Sequence, residues 1–200
     1  MCNPFEFDLK LRKIGEHPSY GPPTPAKVTS LIGSEKDYYH KGLRAESQDL
    51  GIAAFAYYRR VIENRKNKIY DEIIKVAKKL DSDPAIITDL EQAKLEIQFT
   101  KSVAIVKHGI PEALLINGMN PLTLLHSALS EGIHNHSDKE CLKLAASIRA
   151  VLFGLIERMQ YVLKEHNEID DAVKVLIQKQ SEKKSRINSS SDIEPTDQNS

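Results

Sequence analysis

The chain has 200 residues, 28 basic and 28 acidic side chains, and only two cysteines, Cys2 and Cys141. This length suffices for one domain with its own core, so disulfides and a structural metal are not needed. The low cysteine count is typical of a reduced, cytoplasmic protein. Because the basic and acidic side chains balance, the net charge of the chain predicts no class of partner. With no run of about 18 apolar residues and no apolar leader, we expect no membrane partner.

Residues 1–33 are predicted to form a short extended arm. In "FEFDLKL", Phe5, Phe7, Leu9 and Leu11 alternate with polar residues, which is the period of a strand. The following "EHPSYGPPTPAK" contains four prolines, which favour an extended, polyproline-like conformation and disfavour a helix.

Residues 34–183 are predicted to form a helical bundle, because apolar side chains recur at steps of three and four residues. Helix starts are indicated by Asp83 before a proline, by Asn120 before a proline, and by a capping box of Ser137 and Glu140. Ser34 with Asp37 resembles a second capping box, which would mark a fourth helix start. The predicted helices span about 34–48, 50–80, 85–107, 121–133, 137–162 and 168–183.

The remaining residues, 184–200, are rich in Ser, Asn, Asp and Gln and are predicted to be a disordered tail. The fold class is therefore all-α: a helical bundle with a short N-terminal extended arm and a disordered C-terminal tail.

The stretch "LLHSALSEGIHNHSDKE" concentrates three histidines, His126, His134 and His136, where two predicted helices meet. One interpretation is an exposed polar corner, and another is an acid–base site, because imidazole titrates near neutral pH. A zinc site would use His134, His136 and Cys141, with His126 as a fourth ligand. Cys141 falls on the core stripe of its helix and His126 lies two turns before His134, so the four ligands converge poorly. We predict no metal and no cofactor.

A second candidate region lies in the long predicted helix, where eight basic and three acidic residues occur between Arg59 and Lys79. This excess of positive charge favours a phosphate-binding surface for RNA or a nucleotide, although an ordinary solvated helix face explains it equally simply. The candidate nucleic-acid contacts are Arg59, Arg60, Arg65, Lys66 and Lys68.

Arg59 and Glu63 lie one helical turn apart and are predicted to pair. If this pair is buried, it would connect the long helix to the histidine corner. Arg59, Glu63, His134 and His136 are therefore the candidate catalytic residues.

The segments "GIAAFAYYRRVIEN" and "NPLTLLHSALSEGIHNHSDKECLKLAASIR" resemble bacterial helical-domain proteins related to the HEPN superfamily, and "KIGEHPS" resembles the entry segment of the same group. The resemblance covers about residues 10–165. It implies a helical bundle that is often dimeric. It also implies ribonuclease chemistry in many members, through an arginine and a histidine four to six residues apart.

This sequence departs from that ribonuclease pattern. "LHSALSEG", which precedes His134 and His136, contains no arginine, and Asn120 before His126 lacks the positive charge that would stabilise a phosphorane-like transition state. Arg12 and His17 have the spacing but lie in the predicted arm.

The leading hypothesis is a cytoplasmic, non-catalytic helical module that forms a homo-oligomer or binds a protein partner, with RNA or a nucleotide as a further ligand. The alternatives are a metal-independent ribonuclease, with Arg59 as anion stabiliser and His134 or His136 as acid–base, and a structural or regulatory subunit. The functional hypotheses require Arg59 to pack beside the corner at Asn135.

Overall fold

The computed structural model describes residues 24–106, 109–130 and 136–190, with the backbone alone described at 165–171 and 181–190. The predicted strand Phe5–Leu11, most of the proline-rich segment and residues 191–200 of the predicted tail lie outside these ranges. Within them the prediction of an all-α fold is confirmed, and no strand is present. None of the described helices combines the length and apolar composition that crossing a bilayer needs.

Seven α-helices, together with 3-10 turns at Gly33–Glu35 and Glu112–Leu114, make up the described architecture. The helices are α1 (Ala26–Ile32), α2 (Lys36–Ser47), α3 (Gly51–Lys79), α4 (Pro84–Leu95), α5 (Phe99–Ile105), α6 (Pro121–Ser130) and α7 (Asp138–Ser190). Helix α3 is central, because α7, α2 and α4 all pack on it. Its buried face includes Phe55, Ile62 and Ile73.

Three predicted helix starts are confirmed by their hydrogen bonds. Asp83 Oδ1 accepts a hydrogen bond from Ala85 N at 2.9 Å, and Asn120 Oδ1 accepts one from Leu122 N at 2.9 Å. Glu140 Oε2 accepts from Ser137 N at 2.8 Å, and Ser137 Oγ accepts from Glu140 N at 3.3 Å. Each side chain satisfies a backbone N–H that the first helical turn leaves without an intrahelical partner.

The helical body begins earlier than residue 34, because Ala26–Ile32 forms α1 and buries Val28, Leu31 and Ile32. The predicted boundary of the extended arm at residue 33 was therefore wrong: the proline-free segment after Pro25 has its own apolar stripe. The predicted capping box at Ser34 is absent too. A 3-10 turn occupies Gly33–Glu35, and α2 starts without a side-chain cap.

The helix predicted over 85–107 is two helices, α4 and α5, separated at residues 96–98. Glu96 is extended, with ψ at 127°. The cause is a tertiary contact: the ammonium group of Lys66 on α3 donates hydrogen bonds to the carbonyl oxygens of Ala93 and Glu96. A cation is favourable at a helix C-terminus, where carbonyl groups lack intrahelical partners.

At the other end of the chain, the two helices predicted for 137–162 and 168–183 form the single helix α7. The chain from Leu163 to Asn167 contains neither glycine nor proline, so nothing in its backbone chemistry requires a break. Helix α7 also continues through residues 184–190, past the predicted start of the tail.

Candidate functional site

Arg59 and Glu63 form the predicted ion pair, with Arg59 Nε donating to Glu63 Oε1 at 2.9 Å. Both side chains remain partly exposed, at 42 % and 39 %. Arg59 Nη1 also donates to the carbonyl oxygen of Leu129 at 3.2 Å. This second bond joins α3 to the last turn of α6, directly before the histidine-rich connection. Asn135 itself lies outside the described residues, so its packing beside Arg59 stays a prediction.

A cleft of about 340 Å³ opens at this junction, and both Arg59 and Glu63 line it. Among the described residues, the histidine that lines the cleft is His126 on α6, whereas His136 does not line it. Its ring lies 6.2 Å from that of Phe99, and its Nε2 atom is buried with no hydrogen-bond partner among the described residues. The cleft thus brings together a guanidinium group, a carboxylate and an imidazole, the groups that phosphoryl or acid–base chemistry uses.

Of the two candidate catalytic histidines, His134 lies outside the described residues. His136 Nδ1 is 4.0 Å from Glu140 Oε2 at the start of α7, next to the capping box. The described residues contain no group of three or more His, Cys, Asp or Glu side chains arranged to hold a metal ion. Cys141 is buried, and burial raises the pKa of its thiol, which disfavours the thiolate that metal binding requires.

Lys66, one of the predicted nucleic-acid contacts, is only 7 % exposed. Its ammonium group is occupied by the carbonyl oxygens at the end of α4. Burial lowers the pKa of Lys66, with the Glu96 carboxylate opposing that shift. These contacts give Lys66 a structural role at the end of α4, and its contact with a nucleic acid stays a prediction.

Two further candidate cations, Arg65 and Lys68, bind partners within the protein. Arg65 Nε donates to the carbonyl oxygen of Leu31 at 2.9 Å and so anchors α1. Lys68 pairs with Glu72 at 2.9 Å. These contacts give part of the basic stretch a structural role that requires no phosphate ligand.

Arg60 differs, because its guanidinium carbon lies 4.1 Å from the ring centroid of Tyr38 on α2. Lys41 Nζ approaches the same ring at 5.3 Å, and Tyr57 lies 6.2 Å from it. This cationic–aromatic patch (Tyr38, Lys41, Tyr57 and Arg60) combines two exposed cations with two aromatic rings. Sequence reasoning missed it, because the nearest aromatic residue to Arg60 in space comes from another helix.

A second polar cluster that the sequence did not indicate links three helices. The Glu46 carboxylate on α2 accepts hydrogen bonds from Arg149 Nε and Nη2 on α7, at 2.9 and 2.7 Å. It also accepts one from the Tyr58 hydroxyl on α3 at 2.7 Å. Burial raises the pKa of Glu46, but the hydrogen bonds from Arg149 and Tyr58 outweigh it and hold that pKa below its ordinary value.

The outer segment of α7, residues 164–190, presents an apolar face of its own. From Cys141 to Val162 the stripe of α7 is buried in the core. The same three- and four-residue steps continue through Ile169, Val173 and Leu176. In the outer segment, however, the apolar side chains of the stripe are exposed: Val173 is 45 % exposed and Leu176 is 60 % exposed. Every side chain described between Ala172 and Gln180 is exposed.

Comparison of the chain with protein-family models, curated proteins and solved structures finds no match. The resemblance to the HEPN superfamily therefore stays a prediction that rests on the sequence motifs.

Proposed function

We propose that the chain is a non-catalytic helical module that acts in the cytoplasm and associates with a second copy of itself. The observation that carries this proposal is the exposed apolar face of the outer segment of α7. Single apolar residues are common on protein surfaces. A stripe of them at helical spacing, on a helix that extends beyond the helical bundle, is typical of a surface that pairs with another helix. Burial of the stripe between two copies supplies the driving force for association.

The proposal predicts that Leu176→Asp weakens or abolishes self-association, because a carboxylate would replace an apolar side chain in the paired face. Val175→Asp is the matched control, since Val175 is 53 % exposed and lies about 100° around the helix from Leu176. Size-exclusion chromatography with light scattering measures the mass of each variant across a concentration series. A monomeric unsubstituted chain at high concentration, or equal effects of both variants, would refute the proposal.

RNA binding is a second candidate function, and the cationic–aromatic patch favours it. Exposed cations neutralise phosphates, and aromatic rings stack on unpaired bases. The double variant Lys41→Glu with Arg60→Glu should bind single-stranded RNA about tenfold more weakly. Lys27→Glu with Lys75→Glu is the control, because it makes the same charge change at two exposed lysines already paired with Glu157 and Glu72. Fluorescence anisotropy at low salt measures both, and an absence of binding by the unsubstituted protein excludes this function.

A metal-independent ribonuclease is favoured by one observation, the shared cleft of Arg59, Glu63 and His126. In this hypothesis the guanidinium group stabilises the developing negative charge and the imidazole transfers the proton. Purified protein incubated with RNA in EDTA tests it. Arg59→Ala and His126→Ala should each abolish cleavage while His136→Ala and Arg44→Ala retain it. Loss in His136→Ala alone would instead assign the acid–base role to the corner.

A further inference from the structure

An apolar groove of about 670 Å³ lies at the root of the outer segment of α7. Leu80 from the end of α3 and Ala113 from the second 3-10 turn form one side of it. Helix α7 forms the other side with Gly154, Tyr161 and Val162 and with the charged residues Glu157 and Arg158. Val162 belongs both to this groove and to the stripe that continues along the outer segment. A helix packed against the stripe would therefore run directly into the groove.

The charges of the outer segment are divided between its two halves. Residues 164–173 contain four acidic residues and one basic residue, whereas residues 174–190 contain five basic residues and one acidic residue. Two copies aligned in parallel would place like charges side by side. Two antiparallel copies would place the acidic half of each against the basic half of the other, which is the favourable arrangement.

The stripe fixes the register of an antiparallel pair. Its apolar centre is Val173 and Leu176, so the most complete burial places Val173 of one copy against Leu176 of the other. Val162 precedes Val173 by eleven residues, and Ile187 follows Leu176 by eleven residues. In this register the backbone at position 187 of one copy therefore lies opposite position 162 of the other, at the groove.

We propose that two copies of this chain pair through antiparallel outer segments, with the end of each segment lying against the groove of the other. This inference rests on the proposed self-association and adds its orientation and its pocket. The two-fold arrangement makes the contact self-complementary, so the assembly closes at two copies.

Disulfide formation tests the orientation in full-length chains that carry Cys2→Ser. The register places residue 166 of one copy opposite residue 183 of the other, so His166→Cys mixed with Lys183→Cys should cross-link. Neither variant should cross-link alone, because in an antiparallel pair like positions are roughly 25 Å apart. Cross-linking of each variant with itself indicates a parallel pair and overturns the inference. A dimer with no cross-link in any sample overturns it equally.

The groove is tested by filling it. Ala113→Arg places a long side chain in the groove and should weaken dimerisation about tenfold or more, with the monomer still folded because Ala113 is exposed. Glu112→Arg introduces arginine at the neighbouring exposed position outside the groove and should leave association unchanged. Equal affinities of the two variants would exclude the groove from the contact. If light scattering shows only monomers of the unsubstituted chain, the proposed function itself fails, and this outcome is distinct from a dimer of another geometry.

Discussion

At the scale of single residues, polar side chains hold helices together across long sequence separations. Glu46 and Arg149 are separated by 103 positions, yet their contact fastens α2 to α7 while the Tyr58 hydroxyl adds α3. Hydrogen bonds to a charged group contribute more than neutral ones, and loss of one partner leaves the other unpaired in a partly desolvated site. The cluster therefore specifies how three helices meet.

We predict that Glu46→Gln destabilises the protein by about 1–2 kcal/mol at pH 7, a value reduced for the 39 % exposure of the Arg149 side chain. The native pKa of Glu46 is lowered, so its contribution is complete above the unfolded-state value of 4.5 and is lost as pH falls below it. Urea unfolding of both proteins at pH 7 and at low pH measures this. The difference in unfolding free energy should shrink at low pH, whereas a constant difference would contradict the assignment.

The role assigned to Lys66 leads to a second residue-scale prediction. Lys66→Met keeps an apolar stem of similar length but leaves the carbonyl oxygens of Ala93 and Glu96 without their donor. We expect a loss of about 1–3 kcal/mol in the free energy of unfolding. Lys68→Met, at a half-exposed salt bridge, should cost less than about 1 kcal/mol. Any affinity for RNA should be the same in Lys66→Met as in the unsubstituted protein.

At the scale of elements, the crossing of α3 and α7 depends on Gly51. A Cβ atom at this position would lie 1.9 Å from the carbonyl oxygen of Asp138 and 2.4 Å from Leu142 N. The close approach allows the Asp138 carboxylate to accept hydrogen bonds from Gly51 N and Ile52 N, at 3.1 and 2.9 Å. The first residue of α7 thereby caps the first turn of α3.

Gly51→Ala should therefore cost about 3 kcal/mol, because the backbone of α7 must move away and the cap is weakened. Gly154→Ala is the control, since its Cβ would meet only the end of the Ile116 side chain, at 3.3 Å. The gain in helix propensity should make Gly154→Ala neutral or stabilising by up to about 1 kcal/mol. Thermal or urea unfolding compares the two, and equal stabilities would contradict the proposed contact.

The helix boundaries that were predictable from the sequence depend on neighbouring residues, whereas those that were not depend on tertiary contacts. The caps at Asp83, Asn120 and Ser137 were predictable, because each depends on residues two or three positions away. The break at Glu96 was not, since its cause is Lys66 on another helix, and the start of α1 depends on burial against the body. In the candidate site, the Arg59–Glu63 pair follows from helical spacing. The placement of His126 in their cleft requires the packing of α6.

At the scale of the whole molecule, α7 is one continuous helix whose two halves lie in different environments. Its first half is part of the core, and its outer segment of about 40 Å extends past Val162. In proteins most of the stability of a helix comes from the packing of its apolar face, and the described side chains of residues 172–180 are all exposed in a single copy. Association of two copies would provide that packing.

Native-state hydrogen exchange should report both environments. Amide groups between Cys141 and Val162 should be protected to the level of global unfolding, and those of residues 164–190 should exchange faster. Protection of the outer segment alone should rise with protein concentration, by the mass-action coupling of association to stability. In Leu176→Asp this dependence on concentration should disappear. Uniform protection along α7 at every concentration would contradict the division into two environments.

The continuity of α7 has a mechanical consequence. No glycine, proline or turn interrupts the helix between Met159, which is anchored in the core, and Leu176 on the outer segment. Because the helix has no hinge, a force applied to the outer segment would be transmitted along α7 into its buried contacts with α3. A partner that binds the outer segment would therefore act on the packing of the central helix.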